Sequence, residues 1–172
     1  MGSLLRCRSS ISVLMLVAAF AATQTAAGVT AQATAAVAAQ AMAAAAAQDL
    51  QGAWRAETYV LAGGVSHTVD GMIFFTATDW TVLFFVLDQE GVGRRGSGEG
   101  GTYTLAGDRL TFRHRYNLSG GEEMEGLPAS ALRMQVSDAA GEVVEPCTIE
   151  LSEERLTIHF PSGNQMMFSR SS

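Results

Sequence analysis

The segment RLTFRHRYNL, residues 109–118, decides the fold class because its side chains alternate in character. Bulky or aromatic side chains occupy every second position, and arginine, threonine or asparagine occupies the other positions. Successive side chains of a β-strand point to opposite faces of a sheet, so the alternation predicts a strand with one buried face. The face predicted to point inward consists of Leu110, Phe112, His114 and Tyr116.

Similar β-branched and aromatic runs recur on both sides of this segment, separated by turn-type residues at intervals of about 8 to 12 residues. Such spacing is typical of sandwiches and barrels. Consecutive hairpins predict an all-β, antiparallel up-and-down barrel of about eight or nine strands. The predicted strands are residues 50–61, 69–77, 80–88, 102–106, 109–118, 132–138, 143–151, 155–160 and 165–170.

Two of these runs, residues 72–75 and 82–87, are apolar on both faces, which a one-sided barrel strand does not require. Either the alanine-rich spacer or a second copy of the chain covers the outer face, or an exposed apolar patch awaits a partner. A homodimer is the plainer explanation. In residues 132–138, alternation predicts that Leu132, Met134 and Val136 face inward. Two long segments, residues 89–101 and 119–131, are predicted to be loops that cover a pocket.

The N-terminal third has a different composition. Residues 1–10 contain two arginines and no acid, and residues 11–22 form an apolar run that is too short to span a membrane. This pattern predicts a signal peptide over residues 1–30, an alanine-rich spacer over residues 31–48, and one domain over residues 49–172. The protein is then secreted or periplasmic, with no stable membrane anchor after cleavage. If translation starts at Met42, it is cytoplasmic instead.

The charge of the domain argues against nucleic acid as a partner. All 17 acidic residues follow position 48, whereas Arg6 and Arg8 precede it and leave nine arginines in the domain, for a net charge of −8. A negative surface repels phosphate backbones.

Three features of the domain resemble the lipocalin and calycin superfamily. The segment LQGAWR, residues 50–55, resembles the Gly-x-Trp motif of the family's first strand, and Arg170 matches its terminal-strand arginine. Residues 101–112 are similar to a hairpin of bacterial lipocalin-like domains. The resemblance implies that Arg170 stacks over Trp54 and closes one end of the barrel. That pair has a structural role, and its cation–π and packing energy is ~0.5 to 2 kcal/mol.

The barrel interior is the place where the resemblance and the alternation predict a ligand. Small eight-stranded barrels hold either packed side chains or one small molecule. His114 is the most suggestive polar residue there, either as a ligand contact or as a core histidine that hydrogen-bonds to a neighbouring tyrosine. The cavity candidates are Phe74, Phe84, Tyr103, Phe112, His114, Tyr116 and Met134.

The sequence contains no recognisable catalytic or metal-binding constellation, and no cofactor is predicted. Haem, which a related calycin group binds through a histidine, lacks its surrounding glycine-rich motif here. Cys147 alternates with apolar residues and is expected to be buried.

Three functions follow from these observations. The leading interpretation is a secreted lipocalin-like protein that binds a small apolar molecule in the barrel. The second is a ligand-free interaction or assembly module of the cell envelope that acts through its apolar strand faces. The third is an enzyme of the cyclase or isomerase type that uses His114, for which the sequence names no substrate.

Overall fold

The structure is a computed structural model, and it describes residues 34–38, 40–42, 48–138 and 140–171. The predicted signal peptide lies outside the described residues. The predicted spacer is described only in part, and its residues 34–38 and 40–42 are helical with exposed side chains. Within the described part of the chain, no helix is both long and apolar enough to cross a membrane.

Nine β-strands, all paired in antiparallel fashion, make up the domain. Their bounds are close to the predicted ones except around the fourth and fifth strands. The strands are β1 Gly52–Val60, β2 Ser66–Phe75, β3 Asp79–Leu87, β4 Gly93–Ala106, β5 Arg109–Gly121, β6 Ser130–Val136, β7 Val143–Leu151, β8 Arg155–His159 and β9 Gln165–Arg170.

Eight of the nine strands close into a barrel. Each strand pairs with the next from β1 to β5, β5 pairs with β7, and β7, β8 and β9 lead back to β1. The predicted antiparallel up-and-down barrel is therefore confirmed. The ninth strand, β6, pairs only with the second half of β5 among the described residues, opposite Tyr116 to Gly121.

The inward side chains of the eight barrel strands form one hydrophobic core. In β3, for example, Trp80, Val82 and Val86 are buried, whereas Leu83 and Phe85 between them are exposed. Burial of such large apolar side chains contributes about 1.5–3 kcal/mol each, which makes this core the main stabilising element of the domain. Trp54, Leu110, Phe112, Leu156, Ile158 and Phe168 are among its most completely buried members.

One end of the barrel is closed by the predicted pair of Trp54 and Arg170. The guanidinium carbon of Arg170 lies 4.0 Å from the centre of the Trp54 ring, and Trp54 is fully buried. Arg170 also donates hydrogen bonds to three backbone carbonyls, those of Asp49, Gln51 and Glu153. The indole N–H of Trp54 donates to the carbonyl of Leu50 at 2.9 Å. The pair thus ties the segment before β1 to the end of β9.

The prediction of a long loop over residues 89–101 is wrong. The chain turns tightly between Asp88 and Val92, and the carboxylate of Asp88 accepts the Glu90 and Val92 amides at 3.0 and 2.8 Å. Residues from Gly93 onward then pair with β3 on one side and β5 on the other. Glycine is suited to this strand because neighbouring side chains lie over its backbone. A Cβ atom placed on Gly96 would lie 3.2 Å from the Phe85 ring.

A β-bulge in β5 overturns the predicted orientation of Tyr116. His114 pairs with Gly101 and Tyr116 pairs with Gly100, which leaves Arg115 as an extra residue. An extra residue shifts all following side chains to the opposite face. Tyr116 is therefore 51% exposed, and Asn117 takes the inward orientation in its place.

The predicted inward faces of β2 and β6 are also partly wrong. Phe74 is 43% exposed, because the buried neighbours Ile73 and Phe75 occupy the inner face of β2. Leu132, Met134 and Val136 of β6 are all more than half exposed. They lie on the outer side of the sheet, since Met134 pairs with Leu118 of β5, which follows the bulge and points outward.

Replacing Arg170 with alanine is expected to lower the free energy of unfolding by about 2–3 kcal/mol, because the cation–π contact and charged hydrogen bonds are lost together. Urea denaturation measures the change. Arg155→Ala is the matched control, because Arg155 makes an exposed ion pair with Glu57 at 2.5 Å and is expected to contribute about 1 kcal/mol or less. Equal losses in the two variants would contradict the proposed role of Arg170.

Candidate functional site

The barrel interior contains a cavity of about 400 Å³. All nine strands contribute to its wall, and most of the wall is apolar or aromatic. Pockets for small molecules typically have volumes of about 300–1,000 Å³ and just such an apolar lining with a few polar groups. The apolar and aromatic lining comprises Tyr59, Ile73, Trp80, Val82, Phe84, Phe112, Tyr116, Val143, Ile158, Phe160, Met166 and Phe168.

A cluster of three ionisable side chains forms the most polar part of the wall. Nδ1 of His114 lies 2.9 Å from Oε2 of Glu99, and Nε2 of His114 lies 3.1 Å from Oε2 of Glu145. Strands β4, β5 and β7 supply one residue each, so barrel closure on both sides of β5 brings the three together. The three side chains are 15–29% exposed.

The two carboxylates hold His114 in its charged form. Burial acts to lower the pKa of His114, but hydrogen bonds to Glu145 and Glu99 and their charges raise it to about 9. Burial acts to raise the pKa of Glu99. The hydrogen bonds from His114 and Ser97 outweigh burial and bring that pKa below its usual value. At neutral pH the cluster therefore consists of an imidazolium between two carboxylates.

The two carboxylates differ in how completely they are hydrogen-bonded. Oε1 of Glu99 accepts a hydrogen bond from the hydroxyl of Ser97 at 2.7 Å, so both of its oxygens have partners. Glu145 uses only Oε2, and its Oε1 has no partner among the described residues. The free oxygen of Glu145 is thus an acceptor available at the cavity wall.

Two further polar groups lie on the wall. The amide of Asn164 donates to the hydroxyl of Tyr59 at 2.6 Å. Burial raises the pKa of Tyr59, against the effect of the Asn164 hydrogen bond, and the charges of Glu145 and Glu99 raise it further. The buried indole N–H of Trp80 has no acceptor among the described residues. Trp80 packs against Phe112 and edge-on against His114, with ring centres 4.2 and 5.1 Å apart.

The structure brings some of the predicted cavity residues together and separates others. Phe84, Phe112 and His114 line the cavity, and Tyr116 borders it although half of its surface is exposed. Tyr103 is buried in the core, where its hydroxyl donates to the carbonyl of Thr76 at 2.6 Å, and it does not line the cavity. Phe74 and Met134 lie on the outer surface, so their prediction as cavity residues is wrong.

Sequence reasoning missed Glu99, Glu145, Tyr59 and Trp80. Alternation could have indicated Glu145, because it shares the inward face of β7 with Cys147 and Ile149. Glu99 has no such signal, because the glycines around it predict a loop and give no alternation of side chains. The buried thiol of Cys147 has a pKa raised to about 12, first by burial and then by the charge of Glu145, so it stays protonated at neutral pH.

The segment that follows β5 is pinned down and does not line the cavity. Arg95 donates to the carbonyls of Glu122 and Pro128 at 2.5 and 2.7 Å. A ring nitrogen of His67 lies 3.0 Å from the carbonyl of Glu125. Of the two segments predicted to cover the pocket, residues 119–131 do not contribute to its wall, whereas residues 89–101 contribute Glu99 as part of a strand. In the described part of the chain, no group of three histidine, cysteine or acidic side chains is placed to hold a metal ion.

Comparison with protein-family models and with curated proteins yields no match. Among solved structures, the chain matches that of a lipocalin-like protein from Bacteroides uniformis, with 18% sequence identity and a TM-score of 0.42. The match covers 72% of this chain and 99% of that chain. By its own topology, an eight-stranded closed meander with an arginine over the first-strand tryptophan, the domain is a lipocalin-like β-barrel.

The charged state of His114 is expected to make stability depend on pH. Its pKa of about 9 in the folded protein exceeds its ordinary value of 6.5. The stabilisation is therefore complete below about pH 6.5 and is lost as the pH rises towards about 9. Relative to His114→Gln, the wild-type advantage in unfolding free energy should shrink by on the order of 2–3 kcal/mol across this range. Chemical denaturation at both ends of the range measures it, and a constant difference would contradict the ion cluster.

Proposed function

We propose that the barrel binds one small, mainly apolar molecule in its interior. The single observation that supports this function is the cavity of about 400 Å³, whose wall is mostly aromatic and aliphatic and includes one cluster of ionisable side chains. Apolar walls favour an apolar ligand because binding removes apolar surface of both from water. A few polar groups then fix the orientation of the ligand.

The state of His114 favours binding over catalysis in this cavity. Both ring nitrogens face carboxylates, and the raised pKa keeps the ring protonated at neutral pH. A protonated imidazole cannot accept a proton as a general base, and a ring with both nitrogens engaged has none free for a haem iron. A cyclase or isomerase that uses His114 as a base would need this cluster to rearrange.

We further propose that the protein works outside the cytoplasm, after removal of residues 1–30. The support is the sequence pattern of two arginines followed by a short apolar run and small residues. The N-terminal sequence of the mature protein tests this proposal, since a start at Met42 would retain the protein in the cytoplasm.

Filling the cavity is expected to block binding. Val82→Trp places a large ring in the interior, whereas Leu83→Trp adds the same ring on the outer face, where Leu83 is 52% exposed. Binding of the neutral fluorophore N-phenyl-1-naphthylamine to the purified domain should weaken at least about tenfold in Val82→Trp and stay within about twofold in Leu83→Trp. Equal affinities in both variants would show that the probe binds elsewhere.

Circular dichroism establishes that both variants fold, and Val82→Phe replaces Val82→Trp if the larger ring prevents folding. Native mass spectrometry of the gently purified wild-type domain then identifies the natural ligand class. An apolar molecule that is retained by the wild type and lost in the filled variant would support the proposal.

A second candidate function, self-association, rests on the outer surface of β3 to β6. Leu83, Phe85 and Leu118 are exposed and lie over glycines of β4. We define the outer apolar face as these three and the exposed apolar side chains of β6, which together are Leu83, Phe85, Leu118, Leu132, Met134 and Val136. An exposed apolar patch on a sheet marks an interaction site. The free edge of β6, which has no second strand beside it among the described residues, extends this face.

The partner that this edge fits is a second copy of the chain. If two β6 strands pair antiparallel about Met134, Leu132 lies opposite Val136 and Arg133 lies opposite Gln135. This register joins apolar to apolar side chains and avoids two facing arginines. A strand that pairs with itself also satisfies the two-fold symmetry of most homodimers.

The dimer is expected to be disrupted by Val136→Arg, which places a charge in the apolar row. Val144→Arg is the matched control, because Val144 is exposed on β7 outside this face. Sedimentation equilibrium should show a wild-type dimer whose dissociation constant rises at least about tenfold in Val136→Arg and little in the control. A monomeric wild type at high micromolar concentration would refute self-association.

A further inference from the structure

The cluster of Glu99, His114 and Glu145 presents an acceptor rather than a donor to the cavity. Both nitrogens of His114 are engaged by Glu99 and Glu145, so the imidazolium has no N–H left for a ligand. Glu99 is saturated by Ser97 and His114. The remaining hydrogen-bonding capacity of the cluster is the free Oε1 of Glu145, which can only accept while the carboxylate is ionised.

The cluster also carries a net negative charge. One imidazolium between two ionised carboxylates leaves a charge of −1, at side chains that are 29% exposed or less. The field of these carboxylates reaches the opposite wall, because both contribute to the raised pKa of Tyr59. Partial burial lowers the effective dielectric constant, so an anion placed beside this cluster is repelled more strongly than it would be in water.

We infer that the cavity selects an amphiphile whose polar end donates a hydrogen bond to Glu145, an amine or an alcohol, and rejects one that ends in a carboxylate. The inference deepens the proposed function and depends on it. In this arrangement the head group of the ligand lies at the cluster of Glu99, His114 and Glu145. Its apolar chain packs against the aromatic wall around Phe84 and Phe112.

Two kinds of group on the wall act in the opposite sense, the positively charged Arg115 and several neutral hydrogen-bond donors. Arg115 borders the cavity, and its guanidinium lies 5.8 Å from the ring centre of Tyr116. Because Arg115 is exposed, solvent and salt screen its charge. The neutral donors do not offset the net charge of the cluster. They are the indole N–H of Trp80 and the hydroxyl or amide groups of Tyr59, Asn117, Gln135, Ser137, Ser162 and Asn164. An anionic ligand would therefore have to bind with its head at Arg115 and its tail pointing inward.

Three ligands with the same ten-carbon chain test the head group: decylamine, 1-decanol and decanoate. Each is titrated calorimetrically into the wild-type protein at neutral pH and low concentration, below micelle formation. Glu145→Gln removes the free carboxylate. Glu150→Gln is the matched control, because Glu150 lies on the outer face of the same strand, where its side chain is 79% exposed, and it changes the net charge equally.

The inference predicts that decylamine and 1-decanol bind at least about tenfold more tightly than decanoate. Glu145→Gln should reduce the preference for decylamine over decanoate by about tenfold, and Glu150→Gln should leave it within about twofold. Decanoate binding that equals or exceeds amine binding, or equal effects of the two variants, would overturn the inference.

The same experiment separates this inference from the proposed function. If N-phenyl-1-naphthylamine binds in the cavity but decylamine and 1-decanol do not, the barrel is a binding protein and the head-group assignment is wrong. If the fluorophore and all three ligands fail to bind the folded protein, the proposed function itself is wrong and the inference falls with it.

Discussion

The structure depends on a change of hydrogen-bonding partner along β5, from β7 to β6. Its first half, up to His114, pairs with β4 and β7 and closes the barrel, whereas its second half, from Tyr116, pairs with β4 and β6. The bulge at Arg115 marks the change of partner. β7 flanks β5 before the bulge and β6 flanks it after the bulge, so the interior wall includes side chains from both strands. The charged cluster lies where the partner changes.

Charged groups inside a barrel are costly unless they are paired, and here the pairing is supplied by three separate strands. His114 is held from both sides, by Glu99 of β4 and Glu145 of β7. Most of the remaining wall is apolar, so the cavity combines a large surface for hydrophobic contact with one fixed charged cluster. At the other end of the barrel, the guanidinium of Arg170 covers the buried ring of Trp54.

The sequence predicted much of the fold because alternation is a local signal. It correctly placed Leu110, Phe112 and His114 on one inward face, and the Trp54 and Arg170 pair was correctly inferred from the resemblance. It failed at Tyr116, since a single extra residue inverts every side chain that follows and leaves no mark in the sequence. It also failed over residues 93–101, because glycine signals a turn locally although strands on both sides stabilise an extended chain there.

By itself, the sequence determined an antiparallel barrel with a net negative charge and an inward histidine, because strand periodicity is a property of neighbouring residues and net charge follows from composition. Only the tertiary structure decided that His114 lies between two carboxylates, since Glu99 and Glu145 are 15 and 31 residues away along the chain. It also decided that β6 remains outside the closed barrel with its apolar residues exposed. Pairing between distant strands sets both features, and no local pattern encodes which strands will meet.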